Sequence, residues 1–161
     1  MKRLPFSLPM VRAFRARHKT QTRRVSPPRF EVGEIVAIAE PCTIAHDDER
    51  KRLLCRYEAD CYGGGGVRSY DDPAEVKRCM GMKTVINRTL RAPRFMPGWA
   101  ERSRVRITEI REERLGDITE ADAVREGFGN VAEFMAYFAT LHPGPVDLTL
   151  PVWVVSFEVV T

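Results

Sequence analysis

Hydrophobic and polar positions along the chain fall into short, well-separated patterns. Leu4 to Leu8 reads as a short strand or entry segment. Ser7 suits an N-cap, and Leu8-Pro9 suits the opening of a helix, because Pro fits a first turn. From there Met10, Ala13, Phe14 and Arg17 share one helical face, and Arg12, Arg15 and Lys19 share another. Thr20 to Val25 reads as a strand, ended by Ser26-Pro27-Pro28. Its alternation puts Thr20, Thr22 and Arg24 on one face and Gln21 and Arg23 on the other. A turn at Glu31-Val32-Gly33-Glu34 leads into Ile35-Val36-Ala37-Ile38-Ala39, an apolar run with the length of a buried strand.

Later elements are as clear. Arg104 to Thr108 alternates as a strand, and the shifted apolar phase of residues 109–115 predicts a bulge. Asp117-Ile118-Thr119 caps a helix running through about Glu126, and Gly127 stops it. Asn130-x-x-Glu133 has capping-box spacing. It opens a second helix with Val131, Phe134, Met135, Phe138 and Leu141 on one face. His142-Pro143-Gly144-Pro145 breaks that helix. Val152 to Val160 reads as a terminal strand, apolar enough to be central.

Residues 41–92 read differently, as an insertion. They hold a charge run around Asp47-Asp48-Glu49-Arg50-Lys51-Arg52, four glycines at 63–66 and Asp71-Asp72-Pro73. One short strand is expected there, Leu53 to Glu58. The glycines read as a flexible loop, since a phosphate-cradling loop would need a strand before it, a helix after it and a following Lys-Ser/Thr. The order of elements leaves little room for parallel crossovers. It predicts an α+β chain built as a small mixed or antiparallel β-barrel flanked by helices, in one domain over 1–161.

Charge sharpens this picture. The 161 residues carry a net charge of +4, yet residues 1–30 hold nine Lys/Arg and no carboxylate. The rest holds 17 basic and 22 acidic side chains, a net of −5. A basic segment on a mildly acidic body points to a localised anion site, with a solvated face as the ordinary alternative. Its densest part is Arg15-Ala16-Arg17-His18-Lys19-Thr20-Gln21-Thr22-Arg23-Arg24. No apolar run approaches the roughly 20 residues of a membrane span. The start lacks a signal-peptide pattern, because two prolines and Arg12 interrupt its apolar part, so a cytoplasmic location is expected. Cys42, Cys55, Cys61 and Cys79 form no C-x-x-C knuckle and have no His at ligand spacing. Reduced, partly buried thiols are expected rather than a zinc site, with no metal and no cofactor.

The segment Pro9-Met10-Val11 … His18-Lys19-Thr20-Gln21-Thr22-Arg23-Arg24 resembles the opening of ASCH domains, in the form found in phage- or prophage-encoded proteins. Further stretches follow in that family's order. They are Val32-Gly33-Glu34-Ile35 with Glu40, Arg94-Phe95-Met96-Pro97-Gly98-Trp99-Ala100, Leu115-Gly116-Asp117-Ile118-Thr119-Glu120-Ala121-Asp122-Ala123-Val124-Arg125-Glu126-Gly127, and Pro151 to Glu158. The resemblance implies a PUA-like β-barrel that binds RNA or a nucleotide in a cleft lined by the Lys-Thr-x-Thr-x-Arg segment. With the basic segment and its flanking motifs, the candidate ligand contacts are Arg15, Arg17, Thr20, Arg24, Glu40 and Trp99. A smaller relative is an amidohydrolase that removes the acetyl group from N4-acetylcytidine; its catalytic Lys, Thr and Glu match Lys19, Thr22 and Glu126. The chain departs from the family pattern at two points. Gly98 stands where phage relatives often carry a basic residue, and Ala39-Glu40-Pro41 replaces the usual Arg-Glu-Thr.

The chemistry of such a trio is definite. The Thr22 hydroxyl needs an adjacent base to attack an amide carbonyl. Lys19 serves only if burial and neighbouring cations lower its pKa by roughly three units from about 10.4. Glu126 would protonate the leaving nitrogen or orient the nucleophile. Arg24 would hold a phosphate or polarise the carbonyl, and Trp99 and Tyr57 are candidate stacking platforms. Each has an ordinary reading beside it: Lys19 as a phosphate contact, Thr22 as a β-former, Glu126 as the partner of an Arg, Trp99 as core. Three functions follow: an RNA- or nucleotide-binding module, an amidohydrolase on acylated cytidine, or a non-catalytic phage accessory protein that contacts another protein.

Overall fold

In a computed structural model, residues 1–47, 49–50, 52–60, 67–70, 72–74 and 90–160 are described. They form two sheets and three helices, an α+β arrangement. The chain divides into two compact units. The first comprises Met1, Arg3–Val11 and Ala37–Arg102; the second comprises Lys2, Arg12–Val36 and Ser103–Thr161. Helix α1 (Leu8–Arg15) and strand β3 (Ile35–Ala39) each run from one unit into the other.

In the first unit β1 (Arg3–Pro5) lies parallel to β3, pairing Leu4 with Ile38. Strands β4 (Cys42–Asp47), β5 (Arg52–Tyr57) and β6 (Val67–Tyr70) form an antiparallel sheet in that order. β5 matches the one strand expected from sequence, and β4 and β6 flank it without a comparable local signal. Only Cys42 and Ile44 are buried along β4, so its apolar signal is two residues long, and β6 has four residues in all. Pairing, not local pattern, makes both into strands. Ile44, Cys55, Tyr57, Met96 and Ala100 pack into one core. Cys42 and Cys55 are buried and free. Cys61, Cys79 and the glycines at 63–66 lie outside the described residues.

In the second unit β2 (Gln21–Arg24), β7 (Arg104–Arg114) and β8 (Pro151–Val160) form the ladder β7-β8-β2, all antiparallel. The terminal strand is central, as its apolar run predicts. The predicted bulge sits between Ile107 and Glu109, just before the stretch where the apolar phase shifts. The turn before β3 joins β7 through Gly33 N–H to Ile107 C=O at 2.8 Å and Ile107 N–H to Glu34 C=O at 3.0 Å. The full order is β1-β3-β7-β8-β2. This differs from the closed barrel expected from sequence. β1 and β2 are the two ends of the order, no ladder joins them among the described residues, and at three and four residues they are too short to form a long closing ladder.

Helix α2 (Glu120–Glu126) begins and ends where its signals predict. Thr119 Oγ1 accepts the Asp122 N–H at 3.1 Å, and Asp122 Oδ2 accepts the Thr119 N–H at 3.2 Å, a reciprocal capping box. Gly127 closes it at φ 94°, in the left-handed region that favours glycine. Helix α3 (Val131–Leu141) opens with Asn130 Oδ1 accepting the Glu133 N–H at 2.9 Å. Glu133 accepts from Gly129 N–H at 2.9 Å and from the Asn130 side-chain amide at 3.4 Å rather than from the N-cap backbone N–H. Phe134 and Phe138 pack with Leu115, Ile118, Ala123 and Val152. Leu141, expected on that stripe, is exposed, because it lies in the last turn beside the break at His142. Among the described residues no helix is long and apolar enough to cross a membrane.

Helix α1 buries Met10, Val11 and Phe14. It stops at Arg15, earlier than the stripe ending at Arg17 predicts. Arg17 N–H bonds to Phe14 C=O and His18 N–H to Ala13 C=O, both at 3.0 Å, and Arg17 itself has φ 61°. This is a left-handed helix stop with Arg where Gly is usual. Arg17 is therefore exposed rather than beside Phe14, and Lys19, expected with Arg12 and Arg15, is beyond the helix and buried.

Candidate functional site

Strand β2 is an edge strand, and the helix stop at Arg17 delivers the chain into it. Thr20 N–H donates to Arg125 C=O at 2.9 Å and Phe157 N–H to Thr20 C=O at 2.9 Å, which fixes the start of β2 between α2 and β8. That anchoring carries the Lys19 side chain under the end of α2. Its Nζ donates to Glu126 C=O at 2.8 Å and to Glu126 Oε2 at 2.9 Å. Lys19 and Glu126 are each 2% exposed. A cation on the last carbonyls of a helix also meets the negative end of its dipole. Two residues that the sequence separates by more than a hundred positions are thus brought into direct contact.

Burial is the largest influence on the Lys19 ammonium and holds its pKa below the ordinary lysine range. The Glu126 carboxylate opposes that shift, while the Arg24 and Arg23 charges add to it. The direction is the one a basic lysine needs.

Arg23, which alternation puts on the face opposite Thr22 and Arg24, is central to the network. Its buried guanidinium donates from Nε to Glu113 Oε1 at 3.0 Å and contacts the same oxygen through Nη2. Nη2 also lies 3.2 Å from Asp122 Oδ2, and Nη1 lies 3.3 Å from Glu126 Oε1. Gln21, on the same strand face, reaches Asp122 Oδ1 at 3.4 Å. Asp122 also accepts from Arg125 at 2.5 Å and from the Thr119 hydroxyl at 2.8 Å. Burial pushes its carboxyl up, but the Arg125 and Thr119 hydrogen bonds and the Arg23 charge outweigh burial and hold it well below the usual carboxylate range. A signal for this role existed in the sequence: Gln21 and Arg23 alternate together and needed polar partners if β2 packed on a helix.

Alternation along β2 puts Thr22 and Arg24 on the face opposite Gln21 and Arg23. Arg24 nevertheless feels the charges of Glu126 and Tyr137, against a larger effect of burial that lowers its pKa. Glu126 therefore stands at the strand edge, bonded to Arg23 from one face and within electrostatic reach of Arg24 on the other. Thr22 is buried and pairs in register with Val155. Thr20, Arg15 and Arg17 are exposed, with Arg12 and His18 beside them.

Glu40 and Trp99 belong to the first unit. Glu40 is buried, with both carboxylate oxygens 2.7 Å from Arg102. The Arg102 guanidinium also contacts Asp60 and lies 3.6 Å from the Tyr57 ring centroid. Tyr57 is core, not an open stacking platform: it is 1% exposed and its hydroxyl donates to Ala100 C=O at 2.6 Å. Trp99 is half-buried and stacks on Tyr70, with centroids 5.3 Å apart. At Gly98, a departure from the family pattern, an added Cβ would meet the Arg3 guanidinium at 3.3 Å.

Arg17 supplies a direct test of how the basic turn is built. A non-glycine residue in the left-handed region costs about 1–2 kcal/mol, while Gly costs about 0.5–1 kcal/mol in chain entropy. Arg17→Gly is expected to raise stability by up to about 1 kcal/mol, or roughly 2–4 °C in Tm. Thermal unfolding checks it; a clear loss of stability would mean that the Arg17 side chain holds the turn.

No protein-family model, curated protein or solved structure matches this chain.

Proposed function

We propose that this chain is an ASCH-type, PUA-like module that binds RNA or a nucleotide through residues 12–24. The observation that carries the reading is the placing of the Lys-Thr-x-Thr-x-Arg segment. It leads into an edge strand rooted on Glu126, and the end of α1 with the turn that follows presents Arg12, Arg15, Arg17 and His18 to solvent. Lys19, fully buried on Glu126, holds the segment in place, and the exposed arginines make the phosphate contacts. Single-stranded RNA should then bind with log K falling linearly in log salt, and each lost phosphate contact should reduce that slope by roughly 0.7. Arg15→Ala and Arg17→Ala are expected to lower both affinity and slope. Absence of binding at low salt would overturn the reading and favour an accessory protein that contacts another protein.

A second reading, amidohydrolase on an N4-acetylcytidine-like nucleoside, is favoured by one observation: the Lys19–Glu126 contact in a buried setting that weakens the hold of Lys19 on its proton. In this mechanism neutral Lys19 takes the Thr22 hydroxyl proton as Thr22 attacks the acetyl carbonyl, that proton passes by way of Glu126 to the leaving N4 as the C–N bond breaks, and water then hydrolyses the acetyl-Thr22 ester to release acetate. Cytidine should appear from N4-acetylcytidine and fail to appear with Thr22→Ala. No turnover by the unaltered chain across acylated nucleosides would remove this reading.

A further inference from the structure

The two oxygens of Glu126 have different partners. Oε2 accepts from Lys19 at 2.9 Å, and Oε1 lies 3.3 Å from Arg23 Nη1. Arg23 is itself gripped on its other edge, by Glu113 of β7 and by Asp122 one turn earlier on α2. Its guanidinium carbon lies 5.9 Å from the Phe134 ring centroid, and the side chain is fully buried. A planar fork fixed along one edge dictates where a carboxylate on the other edge must sit. A lysine at this position would offer a single mobile point charge instead.

We propose that Arg23 is a positioning residue: it clamps Glu126 by Oε1 and so turns Oε2 toward Lys19. This rests on Lys19 and Glu126 being the working pair of the proposed site. The charged groups that act on Lys19 among the described residues include Glu126 from α2 and Arg23 and Arg24 from β2. Glu113 and Asp122 grip Arg23, and Arg111 and Arg125 neutralise those two carboxylates in turn. Arg23 therefore touches both the carboxylates behind the site and the carboxylate within it.

The test follows the Lys19 ammonium itself, by NMR of the full chain carrying nitrogen-labelled lysine as pH is raised, with Lys19→Arg to assign the signal. Arg23→Lys keeps the neighbouring charge but loses the fixed fork, so Oε2 is no longer held on Lys19 and the Lys19 titration should move to lower pH. Glu113→Asp keeps the carboxylate but shortens the grip on Arg23, so the titration should move the same way by less. Downward shifts in both are the expected result. An unmoved or raised titration in Arg23→Lys would overturn the inference and leave Arg23 a source of charge and packing only. If Arg23→Lys does not fold, Glu113→Asp decides by itself, with a downward shift supporting and no shift overturning. Turnover of N4-acetylcytidine by the same samples keeps the two questions apart: an inert unaltered chain removes the amidohydrolase reading and leaves the titration result standing.

Discussion

Glu126→Ala is expected to destabilise the chain by about 3–5 kcal/mol, because it leaves two buried cations without their shared carboxylate. Lys19 loses its ion pair with Oε2, and Arg23 loses its contact with Oε1. The fall in Tm should be on the order of 10 °C. The pH dependence carries a second signature. The folded-state pKa of Lys19 lies below its ordinary value. The unfolded chain therefore binds more protons between that lowered value and about 10.4, and this lysine makes stability rise with pH across the interval. Glu126 is what partly offsets the shift. Without it the interval widens, so Glu126→Ala should recover more stability on raising pH than the unaltered chain gains. Urea unfolding across that pH range measures both effects. A loss below about 1 kcal/mol would mean that water reaches the pair.

Gly127→Ala should cost about 2–5 kcal/mol, for two separable reasons. The position has φ 94°, which an L side chain adopts at a cost of about 1–2 kcal/mol. An added Cβ would also lie 2.6 Å from the Ala13 Cβ, closer than side chains pack, and relieving that overlap costs about 1–3 kcal/mol. The same Cβ would sit 3.5 Å from the Lys19 Cβ, so the shift propagates to the site. Adding Ala13→Gly removes the overlap but not the backbone strain. The double variant should therefore recover part of the loss and no more. A full recovery would mean that the left-handed backbone at 127 carries no cost.

These two residues show what the sequence made legible. Gly127 was readable as a helix stop because stop signals are local, and Thr119, Asn130 and Ser26-Pro27-Pro28 were readable for the same reason. Ile35–Ala39 and Val152–Val160 announced themselves by continuous apolar character. Lys19 and Glu126 were joined only through a family resemblance, since no local pattern links residues 107 positions apart. The role of Arg23 was not legible because alternation gives a face and not what covers it. The polar partners on that face, Glu113 and Asp122, come from a distant strand and from inside a capping box. β4 and β6 were missed since strands that exist by pairing leave little trace in their own residues. Barrel closure, likewise a matter of long-range pairing, was not legible at all.

The most direct test of the account is to titrate the labelled full chain with single-stranded RNA and follow its backbone amides. If the basic turn and edge strand form the binding surface, the amides that shift will cluster in residues 12–24 and at the C-terminal turn of α2 around Glu126. Shifts confined to the region of Glu40, Trp99 and Arg102, or no shifts at low salt, would contradict it.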